Sequence, residues 1–541
     1  MKLDLNTALK RIISEELRGN NPVPDILGFL HLKHLFKPNF STEIGSLFKK
    51  YEEETQIPEP LLRIDVPKAN FTIRPMARPS IRDWLIYEAI IDYLAKEVLK
   101  NAEICQRSFS ISNFKGQSKK KTNAWLKFDE HSRECYKKEY KYCVTADVTG
   151  YYENINLEEL RKRILNYLGD NGDKLKIIKV LFYLLRKWSD ERIPGYGLPQ
   201  GPPASAFLAD IYLDYVDRIM EKYEGYFRYM DDIRIFCKRE IEAKIALKDL
   251  IIALRNVKLN INAKKTSILK GREIEEKLFD PHKSLLDIID TIMKSGNKKL
   301  IEEKVIPALL KVFEDAFSND PFEKTHLNFS LYRLSILKNS GFNFDTSKVI
   351  QIIKNNFISK PHHTGLFCDF LSMFPNNENI VKFLLEFLKS ENNIYEWQEL
   401  KILQTLLKFD VRINREDIEF FLKSAKDTNK HYAVRGFYFL LVGKYGNNRD
   451  RELIVDTYDN SYDSLSETYT KLAVILAVQE LGEASRNDFY SRVKRHESDD
   501  VKIKQFVDYV KSLKSPIYYL TTEKPKIETY EKYERPLYEY D

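Results

Sequence analysis

The chain has few of the residues that build disulfide or zinc frameworks. Its 541 residues include five cysteines, Cys105, Cys135, Cys143, Cys237 and Cys368. None is spaced as Cys-x-x-Cys and an odd number closes no set of pairs, so reduced thiols and no structural zinc are expected. Of the nine histidines, the tempting pair His362-His363 follows Pro361 with no ligand set nearby; a surface turn is the expected setting. No apolar run approaches the length of a membrane span, so no membrane partner is expected. The Met1-Lys2-Leu3-Asp4 start has no signal-peptide pattern, which makes the cytoplasm the expected compartment. A net charge of +7 is mild for a chain that is 31% charged and 43% hydrophobic. Strong polycation behaviour is excluded, and a globular protein of two or three domains is expected.

What the sequence does have is a small set of carboxylates in unusual places. Gly225-Tyr226-Phe227-Arg228-Tyr229 and Ile233-Arg234-Ile235-Phe236-Cys237 alternate in polarity around Met230-Asp231-Asp232, which predicts strand, tight turn, strand. Upstream, the β-prone run Lys141 to Ala146 leads into Asp147, and Leu157-Glu158-Glu159-Leu160 opens an amphipathic helix. Two strands ending in carboxylates can lie side by side. Between them the loop Gly195 to Pro203 feeds a helix predicted from about Ala204, with Phe207, Leu208, Ile211, Tyr215 and Ile219 on one face. Hard cations such as Mg²⁺ take oxygen ligands, typically one or two carboxylates plus substrate phosphates. A pair of such ions clamps the attacking and leaving oxygens of a phosphoryl transfer. The pattern points to nucleotidyl transfer.

Three motifs in order resemble those of reverse transcriptases: Asp147 with Tyr152 is similar to motif A, Leu198-Pro199-Gln200-Gly201 to motif B, and Tyr229-Met230-Asp231-Asp232 to motif C. The block Arg74 to Asp83 resembles the fingers segment of group II intron and retron enzymes, and Leu259 to Thr266 resembles motif D. The resemblance implies an α+β right-hand polymerase fingers–palm domain over about residues 1–275. It implies Asp147, Asp231 and Asp232 as catalytic, metal-binding carboxylates for two Mg²⁺ (or Mn²⁺) ions, with dNTP as substrate. Three carboxylates this close repel unless cations neutralise them. Tyr152 falls where the family places its steric gate against a ribose 2′-hydroxyl. Gln200 and Gly201 are expected against the nucleotide, Arg74 and Arg82 on its triphosphate, and Lys265, in competition with Lys264, as proton donor to pyrophosphate. Before motif A, Lys115, Lys119, Lys120, Lys121 and Lys127 interleave with Phe114, Trp125 and Phe128, a segment expected to track nucleic acid and stack bases or to be a solvated fingers loop.

The second half changes character. After about Lys277 the chain becomes a succession of apolar-periodic segments, among them Ile301–Phe317, Ser347–Phe357, Asn379–Leu388, Glu396–Leu407, Arg415–Ser424, His431–Tyr445 and Ser466–Leu481. An all-α, HEAT-like helical-repeat domain is expected over 276–515. A polymerase core followed directly by helical repeats, with no RNase H or Cys/His-rich segment, resembles the bacterial Abi-type enzymes (AbiK, AbiA and Abi-P2) of the defence-associated "unknown group". That resemblance implies antiphage defence by abortive infection, a homo-oligomer, a phage-encoded trigger, and DNA synthesis that is template-free or protein-primed. Two other readings remain: an RNA-templated enzyme using a dedicated non-coding RNA, and a catalytically silent nucleic-acid-binding scaffold. The Tyr-rich stretch 516–541 is expected to be a flexible tail, with Tyr530, Tyr533, Tyr538 and Tyr540 as candidate priming hydroxyls and packing of these rings as the alternative.

Overall fold

The computed structural model describes residues 3–18, 22–24, 26, 40–100, 107–110, 121–138, 140–168, 172–189, 193–280, 282–318, 324–460, 468–497 and 500–519. Strands β1 (Leu62–Pro67) and β2 (Ile73–Arg78) form an antiparallel hairpin, with Val66 opposite Arg74. Strands β3 (Tyr142–Ala146), β4 (Gly225–Tyr229), β5 (Asp232–Cys237) and β6 (Ser267–Lys270) form an antiparallel sheet in the order β4-β5-β3-β6.

Alternation along these strands builds two cores, one on each face. Val144, Ala146, Tyr226, Ile233 and Ile235 pack against the helices Ile81–Val98, Pro203–Met220 and Glu240–Asn256. Cys143, Phe227, Phe236 and Leu269 pack on the opposite face against Trp125 and Phe128 of the helix Lys121–Lys137. The helix Pro203–Met220 starts at the proline, whose missing N–H costs nothing at a first helical position. It is buried on nearly all sides, although Tyr215 stays 43% exposed.

Beyond residue 280 the described chain is helical. The expected segments appear as Ile306–Ser318, Thr346–Asn356, Glu378–Lys389, Glu396–Leu406, Arg415–Lys426, Tyr432–Tyr445 and Thr468–Ala477, the first preceded by a π-helical turn at Ile301–Val305. Alternate helices stack in one row, with Lys324–Asn339, Thr364–Leu371, Glu396–Leu406, Tyr432–Tyr445, Thr468–Ala477 and Val501–Lys511 each touching the next. Gly443 lets two of them meet closely, since a Cβ there would lie 2.3 Å from the Ala477 carbonyl oxygen. Among the described residues no helix is long and apolar enough to cross a membrane.

Three expectations need correction. Trp125 and Phe128 are not presented to a ligand: they are 6% and 0% exposed, because the sheet needs an apolar cover on this face. Lys127 is exposed, and Phe114, Lys115, Lys119 and Lys120 lie outside the described residues. His362-His363 closes a short 3₁₀ turn in which His363 is buried; desolvation and neighbouring positive charges push its pKa well down. Residues 516–519 are not a loose tail. Tyr518 is 6% exposed and donates to the Gly443 carbonyl oxygen at 2.9 Å and to Glu480 at 2.6 Å. Tyr530, Tyr533, Tyr538 and Tyr540 lie outside the described residues.

Candidate active site

Asp231 sits at the tip of a two-residue hairpin, because Tyr229 pairs with Asp232 across the β4–β5 turn. Such tight turns require a residue at positive φ, and here it is Met230 at +52°. A non-glycine residue keeps that conformation only when its surroundings over-determine it. The Met230 N–H donates to Ser110 Oγ at 3.0 Å, and its carbonyl accepts from Arg228 Nη1 at 3.0 Å. Arg228 is completely buried and reaches Asp210 at 2.6 Å and Asp217 at 2.8 Å. Ser110 donates to the same Asp210 oxygen at 2.7 Å. The turn is therefore set by an internal ionic network anchored on the helix Pro203–Met220. The helical spacing of Asp210, Asp214 and Asp217 in an otherwise apolar stretch was the available signal, since buried acids need an internal cation.

Asp147 leaves the end of β3, which pairs with β5 so that Ala146 lies opposite Ile233. Its backbone is continued by the segment after Leu259: Asn262 N donates to Asp147 O at 2.7 Å, and Thr149 N donates to Asn260 O at 2.9 Å. The carboxylate, 23% exposed, accepts from Asn262 Nδ2 at 3.1 Å and from Lys265 Nζ at 3.4 Å. Of the two candidate lysines, Lys265 is thus the one that faces the carboxylates.

Charge crowding follows. Burial, then the negative charges of Asp147 and Asp232, push the Asp231 carboxyl up to about 6. Burial also raises Asp232, but Arg234, two residues on along β5, opposes that shift. Asp232 therefore has a buried counter-charge of its own, whereas Asp147 is met by Lys265, which is 62% exposed. The donor set suits a divalent cation: hard oxygens, excess negative charge, one edge open. Among the described residues no three His, Cys, Asp or Glu side chains form a ready metal cage. Mg²⁺ rarely uses one, relying on one or two carboxylates and substrate phosphates.

The remaining expected residues divide. Tyr152 is half-buried, its ring 5.6 Å from that of Tyr151, and burial with the charges of Asp231 and Asp210 holds its phenol well above the ordinary value. Gln200 and Gly201 lie against the β1–β2 hairpin: Ala77 N donates to Gln200 O at 2.8 Å. At Gly201, φ is +143° and a Cβ would come within 2.6 Å of the Ala77 carbonyl oxygen, so the glycine is required by this internal approach. Arg74 extends from β2 beside Lys68, whose ammonium is lowered first by burial and then by repulsion from Arg74 and Lys265. Glu153 and Asp147 act on the same lysine. Lys68 is thus a member of the site that the sequence reading missed; its only signal was its place in the turn between two β-prone runs. Arg82 is not brought there. Its guanidinium meets Glu43 at 3.6 Å and Gln505 at 3.4 Å, joining an N-terminal helix to the last described helix, Val501–Lys511.

Residues 66–300 match the family "Reverse transcriptase (RNA-dependent DNA polymerase)". No curated protein matches the chain. Solved structures that match include telomerase from Candida albicans in complex with a TWJ fragment of telomeric RNA, at 11% identity and a TM-score of 0.32, over 70% of this chain and 69% of that one.

Proposed function

We propose that this chain, which carries a reverse transcriptase domain at residues 66–300, is an active DNA polymerase of that type. The observation that carries the reading is the meeting of Asp147 and Asp231 at adjacent strand ends, beside the basic group Lys68, Arg74 and Lys265. Asp147 and Asp231 would hold two Mg²⁺ or Mn²⁺ ions, with Asp232 less directly engaged. When bound, the ions supply the Lewis-acid clamp on the attacking and leaving oxygens. The chain's own side chains do the rest. Lys68 and Arg74 grip the triphosphate, as clustered cations suit phosphate oxygens. Tyr152 crowds a ribose 2′-hydroxyl and selects dNTPs. Lys265 hands a proton to the departing pyrophosphate. Arg228 holds the turn that aims Asp231.

A catalytically silent scaffold has no physical use for carboxylates that repel one another, which argues against that alternative. The order of domains supports the finer reading: an Abi-type, HEAT-like helical half behind the polymerase, working in antiphage defence as a homo-oligomer that answers a phage-encoded trigger. Synthesis on that reading is protein-primed or template-free. The family's description favours one second reading, an RNA template supplied by a dedicated non-coding RNA. Purification of the chain from its host, followed by sequencing of the nucleic acid that comes with it, separates these. DNA covalently attached to the protein is the expected result. A discrete RNA with free DNA ends would replace it with the templated reading, and no nucleic acid together with no incorporation of dNTPs would remove both.

A further inference from the structure

The hairpin that carries Lys68 and Arg74 does not share the apolar core of the palm. Ile64 is 3% exposed and belongs to the core of the helical half, and Leu62 and Val66, on the same face of β1, pack against that core. β1 lies along the helix Glu396–Leu406 and the turn Pro361–His363. At the other end of the hairpin, Tyr395 Oη donates to the Phe71 carbonyl at 3.0 Å. Phe71 holds a positive φ of +63°, so this contact falls on a strained turn. His431 Nε2 lies 2.6 Å from the Arg63 carbonyl oxygen while its Nδ1 accepts from Ala433 N at 3.2 Å, which requires the tautomer protonated at Nε2. A two-stranded hairpin is marginal alone, so its position is set by what it docks on.

We propose that the helical half is a working part of the nucleotide site, with Tyr395 and His431 as positioning residues that hold the β1–β2 hairpin where Lys68 and Arg74 meet the triphosphate. The proposal rests on the polymerase reading above. The hairpin is fastened on one side by the helical half and on the other by the Gln200–Gly201 loop, by Arg63 to the Trp188 carbonyl and by Arg78 to Glu16. A shift of the helical half therefore moves the triphosphate grip without touching the carboxylates. Chemistry stays with the palm, and substrate affinity is governed by a surface several hundred residues away in sequence.

The test uses the full chain with Tyr395→Phe, His431→Asn and the double variant. Asparagine keeps a cap for Ala433 but is too short to reach Arg63. Tyr445→Phe, which removes a hydroxyl bonded only within the helical half, is the control. Each single variant is expected to raise the KM for dNTP about fivefold while kcat stays within about twofold, as loss of one hydrogen bond implies. Amide exchange across residues 62–78 should quicken in these variants and not in the control. Unchanged KM with unchanged hairpin exchange overturns the proposal, as does a loss of thermal stability with KM unmoved. If no variant and no wild type incorporates nucleotide, the polymerase reading fails alone; hairpin exchange then decides the docking, faster exchange supporting it and unchanged exchange overturning it.

Discussion

The Asp417 and Asp450 pairs of the helical half and the Arg228 network of the palm treat buried charge differently. In the helical half Asp417 and Asp450 are 5% and 1% exposed, yet each pairs with a cation that reaches solvent, Lys389 at 2.7 Å and Arg415 at 2.6 Å. Its helices also close themselves: Asn377 caps Ile380, Asn414 caps Asp417, and Asp500 caps Lys502 and Ile503. In the palm Arg228, Asp210 and Asp217 are all sealed inside, and the crowded Asp147 and Asp231 are met by the exposed Lys265. The first arrangement stabilises a scaffold. The second costs stability and makes sense where a turn must be aimed and a cation received. The sealed Lys471–Glu497 pair of the helical half is simply matched, whereas the Met230–Asp231 turn combines a positive φ with mutually repelling carboxylates.

The largest effect should come from breaking the sealed network. Arg228→Met leaves two buried carboxylates uncompensated and should destabilise the protein by about 3–5 kcal/mol, read by chemical denaturation. Removal of Arg415, which is 51% exposed and leaves a space that water can enter beside Asp450, should cost clearly less. Equal losses would erase the distinction between the halves.

Next in size is sugar choice. Tyr152→Ala should relax the preference for dNTPs over ribonucleotides by about 10- to 100-fold in kcat/KM, with little change toward dNTPs. Wild-type enzyme that used both sugars equally would remove Tyr152 from the site.

A smaller effect is a pH dependence confined to the palm. With the Asp231 carboxyl near 6, a proton competes with the cation below that pH. Incorporation at limiting Mg²⁺ should fall about tenfold per pH unit below about 6, and added Mg²⁺ should shift the midpoint downward. The sign for stability is opposite. A carboxyl raised in the folded state favours folding when protonated, so its contribution in metal-free protein is lost as pH rises from about 4 through about 6. A flat profile between pH 5 and 7 would contradict both halves of this expectation.

The smallest is a cap. Asn414→Ala should cost about 1 kcal/mol of stability and leave incorporation unchanged.

The carboxylates were legible because strands advertise themselves by alternation and a two-residue turn leaves little freedom in how Asp231 is presented. The later helices were legible from their 3.6-residue period; Gly201 was expected against the nucleotide, and what requires a glycine there is the approach to the Ala77 carbonyl oxygen. Other features depend on partners that a local pattern cannot reveal. Lys68 is defined by a hairpin whose support comes from Glu396–Leu406, far along the chain. Arg82 looked like a phosphate ligand by its neighbours in sequence, but Glu43 and Gln505 claim it in space. Trp125 and Phe128 share a segment with lysines yet cover the sheet, because a helix turns one face inward whatever its composition suggests.

The most direct test of the account is Asp231→Asn, measured for both activity and stability in metal-free and Mg²⁺-containing buffer at about pH 7.5. The carboxylate is held there against its neighbours, so removing its charge should raise metal-free stability by about 1–2 kcal/mol while reducing dNTP incorporation by roughly a thousandfold. Mg²⁺ should stabilise the wild type and not the variant. A variant that still incorporates nucleotide at the wild-type rate, or one that is destabilised in the absence of metal, would contradict the account.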